Sequence, residues 1–132
     1  MIKEKITYTD YNGDERTETC MFNLSKAELL EMNFRTEGGL DKMLEKIQDT
    51  QDASKVYKLF TDIILMSYGE KSEDGKRFIK KAPDGHRLAD DFAQSEAYSE
   101  LIMKLISDAD YAANFIRGVV PASLAAQVDA RG

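Results

Sequence analysis

Gly69, Gly75 and Lys76, within the stretch YGEKSEDGKRFIKK at positions 68–81, have the residue types of a phosphate-binding loop. Such a loop cradles phosphates with backbone amides and a lysine, and a following Ser or Thr hydroxyl holds magnesium at the spacing G-x-x-x-x-G-K-S/T. Here five residues separate the two glycines, and Arg77 stands where the hydroxyl belongs. The stretch also follows a helical pattern, whereas a phosphate loop leaves a strand. The nucleotide reading fails, and a solvated loop of mixed charge is expected. Calcium fares no better. DYNGDE places Asp10, Asn12 and Asp14 at alternate positions, but the glycine comes fourth, not sixth, and the closing glutamate is missing. His86 is the only histidine and Cys20 the only cysteine, 66 residues apart, so no zinc set can be assembled. Cys20 has nothing beside it in sequence to depress its pKa and is expected to be a small core residue. Acidic pairs such as Asp90-Asp91, Glu96 with Glu100, and Asp108 with Asp110 are plentiful, as chance allows in a chain with 24 acids. General acid and base catalysis needs carboxylates in contrasting environments around a pocket, and no spacing here implies that. No catalytic residue, cofactor or metal site is assigned.

The elements that would have to position such groups follow from periodicity. IKEKITYT and TETCMF are rich in Ile, Thr, Tyr and Phe around YNGD, the pattern of a β-hairpin over 2–22. With Asn12-Gly13-Asp14 as a three-residue loop, Ile6 lies opposite Cys20 and Tyr8 opposite Glu18. Ile2, Ile6, Tyr8, Cys20 and Phe22 then share one face. Two strands alone are marginal in water, so that face must rest on helices or on another chain.

A helical part spans 25–118. Ser25 with Glu28 forms a capping box ahead of Ala27, Leu29, Leu30 and Phe34. Gly38-Gly39 ends that helix, and a second carries Leu40, Met43, Leu44 and Ile47 on one side. A third, ASKVYKLFTDIILMSY, is capped by Asp52 or Ser54 and closed by Gly69. Its IILM end is apolar all round, which marks a central buried helix. After the charged stretch, helix resumes at His86 and runs toward Gly118, with Ser107-Asp108 as a break or a cap. The expected fold is α+β, mostly α: an N-terminal β-hairpin packed on a bundle of about five helices. Residues 1–121 form one domain, and residues 122–132, rich in small side chains, form a flexible tail.

The chain has 132 residues, one ordinary domain, and no apolar run near the roughly 20 residues of a membrane span. The alternating N-terminus is not a signal peptide, and a lone cysteine fits a reducing cytoplasm. Net charge is −6, and only residues 70–87 are basic on balance, with six basic against four acidic groups. A nucleic-acid binder needs a broad basic face, so nucleic acid is excluded as the main ligand. The last helical block carries Tyr98, Leu101, Ile102, Met103, Leu105 and Ile106, more apolar surface than a small hairpin-and-helix fold is expected to bury. Helix-in-groove and strand-edge contacts are the ways such a fold binds protein, and the hairpin offers an exposed edge.

YGEKSEDGKRFIKK, followed by LADDFAQSEAYSELIMKLISDADYAANFIRGVVP, resembles a family of small proteins encoded in the tail-morphogenesis region of long-tailed bacteriophages and prophages. The family is regarded as tail assembly chaperones, and the resemblance is strongest from Tyr68 to Pro121. It implies a non-enzymatic protein of the infected cytoplasm, absent from the finished virion. Its implied partners are the tape measure protein and tail tube subunits, with a homo-oligomer as a further option. The competing expectation is a structural virion component, such as a head–tail connector or tail terminator. On the chaperone reading, Tyr98, Leu101, Ile102, Leu105, Ile116, Val119 and Val120 are expected to line a partner or self-association surface. Lys76, Arg77, Lys80 and Lys81 form a basic loop that could meet an acidic partner.

Overall fold

Alternation of Ile2, Ile6 and Tyr8 with charged and hydroxyl residues extends the chain as β1 (Ile2–Thr9), and a matching run beyond the turn gives β2 (Glu15–Phe22). In this computed structural model, which describes residues 1–35 and 53–119, the two strands pair antiparallel, with Ile2 opposite Phe22 and Ile6 opposite Glu18. Even-numbered positions share the inner face: Ile6, Cys20 and Phe22 are buried, and Ile2 and Tyr8 pack against them. The register nevertheless differs from the expected pairing of Ile6 with Cys20, which lies opposite Glu4 instead. The loop sits one residue earlier than expected. Asp10 N–H donates to the Asp14 carbonyl at 2.8 Å, and Asp10 Oδ1 accepts from the amides of Asn12 at 2.9 Å and Asp14 at 3.0 Å. An aspartate that bonds the backbone two residues on starts the turn, ahead of the Asn-Gly pair.

Among the described residues the sheet has four strands, not two. β3 (Tyr68–Lys71) and β4 (Phe78–Ile79) continue it in the order β1-β2-β3-β4, with Phe22 opposite Tyr68 and Glu70 opposite Ile79. The stretch expected to be a solvated loop is therefore strand, turn and strand. Ser72 N–H donates to the Arg77 carbonyl at 2.9 Å, Ser72 Oγ donates to Asp74 Oδ1 at 2.7 Å, and Gly75 takes a φ of 74° that side chains avoid. Gly69 permits the close approach of β4, since a Cβ there would sit 2.5 Å from the Ile79 carbonyl oxygen.

Helix α1 (Lys26–Arg35) begins with the capping box: Ser25 N–H donates to Glu28 Oε1 at 2.9 Å, and Glu28 N–H donates to Ser25 Oγ at 3.1 Å. The helix expected around Leu40, Met43, Leu44 and Ile47 lies outside the described residues. Helix α2 (Ala53–Ser67) buries Phe60, Ile63 and Ile64, and ends at Ser67 because Tyr68 and Gly69 already belong to the sheet. The last helical block is three helices, α3 (Leu88–Phe92), α4 (Glu96–Ser107) and α5 (Ala109–Val119). Asp108 both stops α4, at φ −135° and ψ 100°, and caps α5 by accepting from Tyr111 N–H at 3.0 Å. Gly118 lies within α5, which reaches Val119. It lets α5 lie against β1, where a Cβ would come within 2.7 Å of Ile2 Cδ1.

Phe22 is the hub of the core. It is fully buried, with edge-on ring contacts to Tyr68 at 5.6 Å, Phe92 at 5.8 Å and Phe115 at 5.1 Å. Tyr68 and Phe92 stack with centroids 4.3 Å apart. Burial pushes the Tyr68 hydroxyl up to about 12 and the Cys20 thiol up to about 11, so Cys20 is a protonated core residue at neutral pH.

Candidate binding surface

The residues expected to face a partner are mostly inside the domain. Leu101, Ile102, Leu105, Ile116 and Val119 are all buried, Tyr98 is half-buried against Phe92, and Val120 lies outside the described residues. The correction has a physical cause: α4 packs on β1, α2 and α5 at once, and α5 packs on β1, so the hairpin and the neighbouring helices enclose these side chains between them. What α4 does expose is its other side, where Met103 is 65% and Ile106 51% accessible. Spaced three residues apart, the two form a short apolar stripe on the solvent side of a helix.

The basic loop also divides. Lys76, Arg77 and Lys81 are exposed, but Lys80 points inward and uses its ammonium as a structural donor. Its Nζ lies 2.7 Å from Glu28 Oε2, 2.8 Å from the Asn23 carbonyl and 2.5 Å from the Met66 carbonyl. Burial lowers its pKa from the ordinary lysine value, and Glu28 opposes that shift. The same contacts complete the end of α2. The last four carbonyls of a helix have no partner within it. Here Ile64 O accepts from Ser67 Oγ at 3.2 Å, Leu65 O from Arg87 Nη2 at 3.0 Å, Met66 O from Lys80, and Ser67 O from Asn23 N–H at 2.7 Å. Two of those four donors are cations, which suits the negative pole of the helix. One of the four cations expected of a basic loop thus serves as an internal cap.

His86 sits between two carboxylates. Its Nδ1 is 2.5 Å from Asp84 Oδ1 and its Nε2 2.8 Å from Asp91 Oδ2, which ties the turn before α3 to the helix itself. Asp91 first and Asp84 second hold the imidazolium form and raise its pKa above 6.5. A raised folded-state pKa adds stability that is fully present below the unfolded value and lost as pH rises through the folded one. An NMR titration is expected to place His86 above 6.5, and Asp91→Asn to bring it down toward that value. A wild-type value at or below 6.5 would contradict the clasp.

The remaining feature is a groove of about 470 Å³ between β1 and the last two helices. Lys5, Ile6 and Thr7 form one wall and Met103, Lys104 and Tyr111 the other, with Leu101 at the base. Lys104 Nζ stands 4.2 Å over the Tyr111 ring. Burial, then the Glu4 carboxylate hydrogen-bonded to its hydroxyl, raises the Tyr111 pKa and keeps the phenol protonated as a donor across the seam. Met103 was visible in the sequence as part of the apolar surplus. Lys5 was not singled out, because a lysine in an alternating strand reads simply as the solvent side.

Among the described residues, no group of three or more His, Cys, Asp or Glu side chains could hold a metal ion, and no helix is long and apolar enough to cross a membrane. Neither the curated proteins nor the solved structures contain a match to the chain. The family model described as phage tail assembly chaperone matches residues 1–131, very nearly the whole length. The fold described above, with its groove and exposed apolar stripe, is thus that of a chain belonging to the phage tail assembly chaperone family.

Proposed function

We propose that this protein is a non-enzymatic chaperone that binds the tape measure protein and tail tube subunits while a phage tail is assembled. It acts in the host cytoplasm and leaves before the virion is complete. The observation that carries this reading is the family match across residues 1–131. The surface supports it. Met103 and Ile106 are exposed apolar side chains on a helix whose opposite side is core, Met103 also lines the groove, and a net charge of −6 favours solubility while a client is held.

Co-expression with the tape measure protein in a bacterial host tests the reading. The client is expected to move into the soluble fraction and to co-purify with the chain, and mass spectrometry of purified virions to find the chain absent. The pair Met103→Asp and Ile106→Asp is expected to lower co-purification while changing the melting temperature little, since exposed substitutions usually stay within about 0.5 kcal/mol. Recovery of the chain as a ring in the virion, without client binding, overturns the proposal in favour of a connector or terminator.

A further inference from the structure

β1 is the edge of the sheet, and among the described residues no strand pairs with its outer side. Its free hydrogen-bonding groups can be assigned. Asp10 N–H bonds to the Asp14 carbonyl, and hydrogen-bonded pairs recur at every second residue of an antiparallel ladder. Ile2, Glu4, Ile6 and Tyr8 therefore bond to β2, while Lys3, Lys5, Thr7 and Thr9 turn amide and carbonyl outward. The side chains of those same odd-numbered residues stand on the sheet face away from the helices, and even-numbered ones face the core. A strand added at this edge would have one set of side chains beside Lys3 and Lys5, and the alternate set above the groove lined by Met103 and Tyr111.

Charge selects the occupant. The cross-strand neighbours of Lys3 and Lys5 are Met21 and Thr19, neither of which is charged. On the helix side the Glu4 carboxylate is held by the Tyr111 hydroxyl and Glu100 and Lys104 balance each other, so the two β1 lysines give the outward face of the edge its sign. A second copy of the chain is a poor fit. An antiparallel β1–β1 pairing that preserves hydrogen-bonding parity and full overlap sets Lys5 directly against Lys5 or diagonally beside it, and like charges so placed repel. An acidic strand meets the opposite condition.

We propose that the outer edge of β1 takes up an extended segment of a partner polypeptide in which acidic and apolar residues alternate. The acidic side chains lie beside Lys3 and Lys5, and an apolar one enters the groove against Met103 and Tyr111. The backbone groups of Lys3, Lys5 and Thr7 supply the ladder, so this is strand addition with charge selection. That the occupant is a polypeptide rests on the chaperone reading above; its alternation and charge rest on the edge and the groove.

The probe is a nine-residue peptide alternating Glu and Val, added to the full chain. A Lys–Val alternation and a block-ordered peptide of the same Glu and Val composition are the controls. Only the Glu–Val alternation is expected to bind, slowing hydrogen exchange at the amides of Lys3, Lys5 and Thr7 by at least about tenfold. Lys5→Pro removes one outward donor that β2 does not use, and is expected to weaken binding at least about tenfold without lowering the melting temperature. Lys3→Glu with Lys5→Glu, which spares the backbone, is expected to transfer preference to the Lys–Val peptide. Equal binding of the block peptide, protection at other amides, or no binding at all overturns the proposal. A dimer of the chain alone that Lys5→Pro dissolves overturns it in favour of a second copy. If Lys5→Pro leaves tape measure co-purification intact, the edge inference falls and the chaperone reading stands. If the peptide protects the edge but no tail protein is bound, the reverse holds.

Discussion

Replacing Lys80 by methionine is expected to cost about 2–4 kcal/mol of stability, although the residue belongs to a segment that looks like a surface loop. Methionine keeps most of the apolar stem, so the change isolates the ammonium. Its loss leaves Glu28 Oε2 and the carbonyls of Asn23 and Met66 without the donor that now serves all three. Exposed ion pairs usually contribute under about 1 kcal/mol, so the size of the effect separates an internal cap from a solvated charge. At about 3 °C per kcal/mol for a chain of this size, the melting temperature should fall by roughly 6–12 °C. Lys76→Met, in the exposed turn before β4, should move it by no more than about 2 °C. Equal small shifts for both would mean that the three contacts of Lys80 contribute nothing to the fold.

Phe22→Ala is expected to be still more damaging, at about 3–5 kcal/mol. Phe22 is fully enclosed and meets Tyr68, Phe92 and Phe115, rings from β3, α3 and α5. Deleting it opens a void where sheet and helices converge, and those three rings cannot all move to fill it. Domains have only about 5–15 kcal/mol in hand, so urea denaturation should show a much lower midpoint, or no cooperative transition. Tyr11→Ala, in the same hairpin, removes a ring that is 77% exposed and one hydrogen bond to Glu96, and should shift stability by about 0.5 kcal/mol or less. A Phe22→Ala protein as stable as Tyr11→Ala would deny the hub.

What was legible in the sequence was local. The Ser25–Glu28 capping box depends on residues three apart, and the inner face of the hairpin depends only on parity, so both could be read directly. The register could not, because Asp10 rather than Asn12 organises the turn, and its hydrogen bonds leave no trace in hydropathy. β3 and β4 were hidden for a different reason. They are four and two residues long, flank a run of charges, and exist because Met21 and Phe22 offer an edge to Gly69 and Tyr68 from far away in sequence. The extent of burial on the last two helices was hidden as well, because it depends on contacts distant in sequence. Counted along the chain, the apolar side chains of α4 and α5 looked too many to hide; packed against β1, α2 and each other they are enclosed, and the surplus on α4 shrinks to Met103 and Ile106. The lysines followed the same logic: net charge located a basic segment, but only the end of α2 reveals which cation points inward.

The seam between α5 and the start of the chain bears on when the protein can form. Leu24 N–H is bonded to the Val119 carbonyl at 2.7 Å, and Ile2 lies against Gly118. Contacts at such sequence separation raise the contact order and slow folding. During translation neither can close until residue 119 has left the ribosomal exit tunnel. Until then the inner face of the β-hairpin waits without its partner helix.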